Sequence, residues 1–186
     1  MRRLLGIVLI CVLLVGCGAN DSELDRGMDL RGRLLKSAGC EFDVRISADY
    51  GQQISRFSMH CNADASGNLS FTVSAPETIQ GITGVISGTG GKLTYDDVVL
   101  AFELLADGQV SPVSGPWLFV KALRSGYINA CGPEKDRYLL VIHDSYQEDA
   151  LVLHIWLDQE NIPVQAEVYW QDRSVLSLEI SSFCFA

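Results

Sequence analysis

The sequence predicts an α+β fold that is mainly β: a wide, curved antiparallel sheet forming a half-open β-barrel, with two helices and a glycine-rich flap covering its concave face. Three observations carry this expectation. Segments that alternate apolar and polar residues recur along most of the chain. Only two stretches show the three-to-four spacing of an amphipathic helix. A sheet of roughly nine strands must curl, and its apolar face needs a cover. With 186 residues, 48% of them hydrophobic, the chain suffices for one domain with a substantial core. Lys+Arg total 14 against 23 Asp+Glu, a net charge of -9, and no basic stripe follows the N-terminus, so nucleic acid is not an expected partner.

The N-terminus reads as a signal. Met1-Arg2-Arg3 is a basic n-region, and the uncharged run Leu4 to Val15 is too short to span a hydrocarbon core of ~30 Å as a helix. Leu14-Val15-Gly16-Cys17 resembles the bacterial lipobox, in which small residues admit signal peptidase and the cysteine thiol takes up diacylglycerol. The expected organisation is a lipoprotein signal peptide over 1–16, a lipidated Cys17 with a short linker over 17–22, and a single domain over 23–186. Loss of Arg2 and Arg3 leaves a more acidic body that does not adsorb to anionic lipid, so the acyl chains must hold it to the membrane, at about 0.8 kcal/mol per buried CH₂. The expected location is the extracytoplasmic face of the cell membrane or outer membrane. Gly18 is not the aspartate that would mark inner-membrane retention in a two-membrane envelope.

Cys11 leaves with the signal, so Cys40, Cys61, Cys131 and Cys184 remain. An even number outside the cytoplasm predicts two disulfides, with four buried free thiols as the alternative. Residues 40–48 alternate, with Cys40, Phe42, Val44, Ile46 and Ala48 on one face; Phe57, Met59 and Cys61 form the apolar face of a second strand. A two-residue turn at Tyr50-Gly51 would set Val44 opposite Phe57, Phe42 opposite Met59 and Cys40 opposite Cys61. In that register 40 and 61 form a non-hydrogen-bonded pair with Cα atoms roughly 4.5 Å apart, within disulfide reach. The expectation is Cys40–Cys61 and, by elimination, Cys131–Cys184.

Elsewhere, residues 23–37 carry an apolar helical stripe with acids early and bases late. Leu69, Phe71 and Val73 continue the alternation to Pro76. Thr78 to Gly91 holds glycines 81, 84, 88, 90 and 91 among Ile79, Ile82, Val85 and Ile86, and reads as a mobile flap over an apolar interior. Short strands follow at 92–95 and 98–104, with a turn at Asp107-Gly108. Ser111-Pro112 offers an N-cap and first helical position for a helix to Arg124 stopped by Gly126. Strands then fall at 127–131, 137–143, 151–158, 164–170 and 175–185.

The order of lipobox, short helix, hairpin, "FTVSAPETI" strand, "SPVSGPW" helix and "WLDQENIPVQAEVYW" hairpin resembles the outer-membrane lipoprotein carrier (LolA/LolB-like) superfamily over nearly the whole mature chain. Its best motif is Trp156-Leu157-Asp158 followed by Pro163 and Ala166-Glu167-Val168. The resemblance implies an eleven-stranded half-barrel with a helical lid around a cavity for acyl chains. Relatives include soluble carriers, lipid-anchored receptors and, in spore formers, germination lipoproteins that hold a cell-wall amidase. This chain departs from the soluble carriers in being lipidated itself, and no residue of it is matched to the carriers' lid-locking arginine.

No catalytic chemistry is expected. His60, His143 and His154 form neither HExxH nor an i, i+4 pair, so no metal or cofactor is predicted. His143-Asp144-Ser145 lacks a nucleophile elbow. Gly88-Thr89-Gly90-Gly91-Lys92 lacks P-loop spacing and reads as a turn. Asp96-Asp97 and Glu148-Asp149 are solvated acidic turns without EF-hand spacing. Trp117, Trp156 and Trp170 serve a core or a cavity equally well by type. If helix and flap cover the sheet incompletely, Phe42, Val44, Phe57, Met59, Phe71 and Trp117 form the cavity wall. The expected function is an envelope lipoprotein that binds a hydrophobic ligand, lipid or lipoprotein acyl chains, in that half-barrel. The alternative is a membrane-anchored module for an exported protein such as a cell-wall amidase.

Overall fold

The computed structural model describes residues 21–186 except 50, 52–53, 104, 107–108 and 148–149. The signal peptide, Cys17 and the Glu148-Asp149 and Asp107-Gly108 turns therefore lie outside the described residues. Helix α1 (Asp21–Lys36) precedes β1 (Gly39–Asp49), β2 (Ile54–Asp64), β3 (Leu69–Ala75), β4 (Thr83–Ser87), β5 (Gly90–Tyr95) and β6 (Val98–Phe102). A two-stranded ribbon, β7 (Leu105–Ala106) and β8 (Gln109–Val110), leads to α2 (Gly115–Ser125). The chain ends with β9 (Tyr127–Glu134), β10 (Arg137–His143), β11 (Val152–Leu157), β12 (Pro163–Trp170) and β13 (Arg173–Phe185). Eleven strands form one antiparallel sheet in the order β6-β5-β4-β3-β2-β1-β13-β12-β11-β10-β9, with β6 and β9 at its open edges. The predicted class holds: a mainly β sheet, not closed into a barrel, with two helices.

Each strand of the centre buries alternate residues: Phe42, Val44, Ile46 and Ala48 on β1, and Leu176, Leu178 and Ile180 on β13. Helix α2 buries Trp117, Leu118, Phe119, Val120, Ala122 and Leu123, and leaves only a narrow face of Lys121, Arg124 and Ser125 toward solvent. So wide an apolar surface must lie against the sheet and α1. Phe119 meets Phe42 edge to face with centroids 5.5 Å apart, and Phe183 stacks on Phe42 at 5.9 Å. Helix α1 covers α2 and β9, burying Leu30 and Leu34. Its Gly27 lies so close that a Cβ there would stand 3.1 Å from both Ile128 Cδ1 and Leu140 Cδ2. Arg31 of α1 donates from Nε to the Leu123 carbonyl at 2.7 Å and from Nη2 to those of Ala122 (3.2 Å) and Gly126 (2.7 Å). It thereby supplies donors to carbonyls at the end of α2, of which that of Ala122 also accepts from Gly126 N–H, and sets a cation at the negative end of the helix dipole.

Four expectations change. The flap is part of the sheet: residues 83–95 are β4 and β5, which raises roughly nine strands to eleven. Two of its glycines serve cross-strand packing. Phe71 lies opposite Gly84, and a Cβ on Gly84 would stand 2.4 Å from Phe71 Cζ; Phe102 covers Gly91 in the same way. Each ring fills the place of a missing side chain on the neighbouring strand.

The β1–β2 register also differs, because Asp49 pairs with Ile54 rather than with Gln52. Cys40 therefore faces Ala63, Phe42 faces Cys61, Val44 faces Met59 and Phe57 faces Ile46. A slide of two residues keeps every side chain on its own face, so apolar alternation fits either register equally well. The expected disulfides are absent, and Cys40, Cys61, Cys131 and Cys184 are free thiols. Strands β10, β11 and β12 lie between Cys131 and Cys184, and four steps of about 4.8 Å exceed any disulfide. Finally, Ser111-Pro112 opens a 3₁₀ turn, Pro112–Ser114, with no side-chain cap, and α2 proper starts at Gly115.

These glycine roles predict opposite results from one substitution. Gly84→Ala should lose about 1–3 kcal/mol in urea unfolding because the Phe71 ring and the Lys92 carbonyl, 2.8 Å away, must give way. Gly88→Ala, with nothing within 4 Å, should stay within about 0.5 kcal/mol of the parent.

Candidate functional site

The inner face of the sheet is apolar from its centre to β6, but its cover is not. Pairing defines one transverse row, Phe42, Cys61, Phe71, Gly84, Leu93 and Leu100, across β1 to β6. Exposure rises along it, from 0% at Phe42 and 4% at Phe71 through half-buried Leu93 to 61% at Leu100. A second row runs Ala63, Leu69, Ile86, Gly91 and Phe102, closed at Ile86 and half-open at Phe102. Beyond them Tyr95 pairs with Val98, and both are exposed. The packing of α1 and α2 explains the gradient, since their main contacts lie with β9, β10, β13, β1 and β2. The uncovered inner face of β5–β6, joined by half-buried Ile79 and Ile82, is the candidate site.

Of the predicted wall, Phe42, Val44, Met59, Phe71 and Trp117 are buried in one cluster and Phe57 is half-buried against it. They are brought together as core: Phe119 occupies the space above Phe42, and no described pocket gathers them. Trp117 lies at the rim of the core, with Lys121 Nζ 5.4 Å from its ring centroid. Trp170 is half-buried against the core, whereas the Trp156 indole donates to Glu134 Oε2 on the outer face at 2.5 Å. Sequence reading placed β5 and β6 as ordinary short strands. The overlooked signal is Val98-Val99-Leu100-Ala101-Phe102, which is apolar at five consecutive positions where a half-buried strand would alternate.

The polar groups serve structural or surface roles. His60 stands on the outer face with Nδ1 3.0 Å from Asp43 and Nε2 3.4 Å from Glu41. Asp144 is engaged away from the adjacent histidine, accepting from Leu151 N–H at 2.8 Å, with Lys121 Nζ 3.8 Å away. The Tyr169 hydroxyl donates to Glu167 at 2.6 Å, and this bond, with burial, pushes its pKa up to about 12. A shallow outer-face depression of about 570 Å³ is lined by His60, Ser70, Thr72, Thr83, Thr94 and Lys92, and the His60 ring is engaged by Asp43 and Glu41.

Comparison with known proteins gives no matching family model and no matching curated protein. Solved structures do match. A putative outer membrane lipoprotein-sorting protein domain from Vibrio parahaemolyticus is 11% identical with a TM-score of 0.48, covering 90% of this chain and 93% of its own. A LolA superfamily protein from Nitrosomonas europaea is 10% identical at a TM-score of 0.44, with 86% and 93% covered. The GerS lipoprotein complex with the CwlD amidase from Clostridioides difficile matches at 10% identity and a TM-score of 0.43, with 86% and 93% covered. The structural neighbours thus include members of the superfamily that the sequence resembles; the site rests on this chain's own residues.

Burial separates the four thiols. It pushes the Cys40 thiol up to about 12 and raises Cys61 further, while Cys184 is exposed and Cys131 half-buried. Since the thiolate is the reactive form, native protein at pH 8 should show one fast-reacting thiol at Cys184, a slower one at Cys131, and Cys40 and Cys61 only after denaturation. Mass spectrometry after iodoacetamide labelling reads this directly; rapid labelling of Cys61 in the native state would contradict the sealed centre.

Proposed function

We propose that this chain is a non-enzymatic envelope lipoprotein, anchored through Cys17, that receives acyl chains of a lipid or lipoprotein on the uncovered inner face of β5–β6. The observation that carries the reading is the continuity of apolar surface from the core to Leu93, Tyr95, Val98, Leu100 and Phe102 with helical cover over only one part of it. Exposed large apolar side chains grouped on one element mark a contact surface rather than random exposure. The guest would lie against an open platform beside the helices rather than in a sealed hollow behind Phe42. The signal-peptide and lipobox reading supports the location.

Photolabelling tests this. Cells producing the full chain and fed a diazirine fatty acid should yield labelled peptides from residues 79–102. Val98→Glu together with Leu100→Glu should cut that labelling roughly tenfold, from the apolar contact removed, with little change in unfolding midpoint because these side chains are 58% and 61% exposed. Labelling that survives both substitutions, or falls only on the outer face, would overturn the platform.

The second reading, a membrane-anchored module for an exported protein such as a cell-wall amidase, is favoured by a different observation: the sheet has an unprotected edge.

A further inference from the structure

We propose that the free edge of β6 receives an extended segment of another polypeptide as an added strand, an apolar run bounded by lysine or arginine. This rests on the partner-binding reading and specifies its surface and the partner's chemistry.

The edge is built to pair. Asp96 and Asp97 both have positive φ, 47° and 63°, the type I′ geometry of a two-residue hairpin turn. Its closing pair, Tyr95 and Val98, is hydrogen-bonded across the hairpin, and the alternation of antiparallel ladders then directs the backbone groups of Val98, Leu100 and Phe102 to β5. Those of Val99 and Ala101 point outward to the open edge. Both faces of the strand are apolar and accessible, with Val98 58%, Val99 59% and Leu100 61% exposed. Sheet edges are ordinarily blunted by an inward charge, a proline, a bulge or a covering element. The opposite edge, β9, shows such devices in Gly132-Pro133 and in α1 packed beside it. Strand β6 has none.

Charge selects the occupant. Acids bracket the edge, Asp96 and Asp97 before it and Glu103 after it, and all three are exposed. A second copy paired antiparallel about Leu100 would set Asp97 opposite Glu103 of that copy, on a chain already at -9, and directly opposed like charges destabilise a ladder. A strand with cations at its ends places them against those acids, while its main chain bonds to Val99 and Ala101 and its side chains extend both faces of the sheet.

The test uses the full-length protein in nanodiscs and two fluorescent peptides, Lys-Lys-Val-Thr-Val-Thr-Val-Lys-Lys and the same core flanked by glutamate. The lysine-flanked peptide should bind at least tenfold more tightly in anisotropy titrations, and the amides of Val99 and Ala101 should gain protection in hydrogen exchange. Ala101→Pro removes an outward donor, retains every bond to β5 and should weaken that binding at least tenfold with the protein's charge unchanged. Glu103→Lys needs no backbone change and should narrow the preference between the peptides, which keeps the test decisive if Ala101→Pro unfolds. Equal affinity for both peptides, binding untouched by a folded Ala101→Pro variant, or a micromolar dimer with β6 protected would each overturn the inference. Peptide binding that fails while residues 79–102 still photolabel overturns the edge alone; the converse overturns the acyl platform alone.

Discussion

The fold depends on the burial of the broad apolar side of one helix. Helix α2 sets Phe119 edge-on against Phe42 of the central strand and Phe183 of its neighbour, which stack on each other, and its end is held by Arg31 of α1 through three backbone carbonyls. Removing α2 would expose Phe42, Phe119 and Leu123 together and leave the Arg31 guanidinium without acceptors. Burial already draws the Arg31 pKa below its usual value, so the carbonyls compensate a charge taken out of water. Further ties hold the same assembly: Arg33 stands over Phe185, Arg26 over Tyr138, and Ala186 exchanges backbone hydrogen bonds with Ala38 and Gly39 across the start of β1.

This arrangement also makes the site. Two helices of 16 and 11 residues cannot cover eleven strands. Having closed over β9, β10, β13, β1 and β2, they leave β5 and β6 bare on the inner face, and no strand follows β6 on its edge. The apolar platform and the unpaired edge are thus consequences of one shortage of cover. They sit on the same hairpin but use different chemistry, side-chain burial on the face and main-chain hydrogen bonding along the edge.

Much of the fold was legible in the residues. Alternation located Arg137–His143 to the residue, the helical stripe found α1, and Gly126 marked the end of α2. Two kinds of information were not local. Register between β1 and β2 turned on which residue faces Asp49, and side-chain periodicity is blind to a slide of two. The glycines of 81–91 read as flexibility because each was weighed by itself, whereas Gly84 and Gly91 answer to phenylalanines on neighbouring strands.

What the sequence by itself determined is the set of faces: which residues of each strand must leave water, and which helix carries the wider apolar side. Those follow from side-chain period and residue type, properties of a short window. Only the tertiary structure decided that the predicted wall residues pack into one buried cluster, that Cys40 faces Ala63 rather than Cys61, and that exposed apolar surface lies on β5–β6. Each of these depends on where a limited amount of helix comes to rest on a long sheet, a competition among distant segments for the same apolar surface.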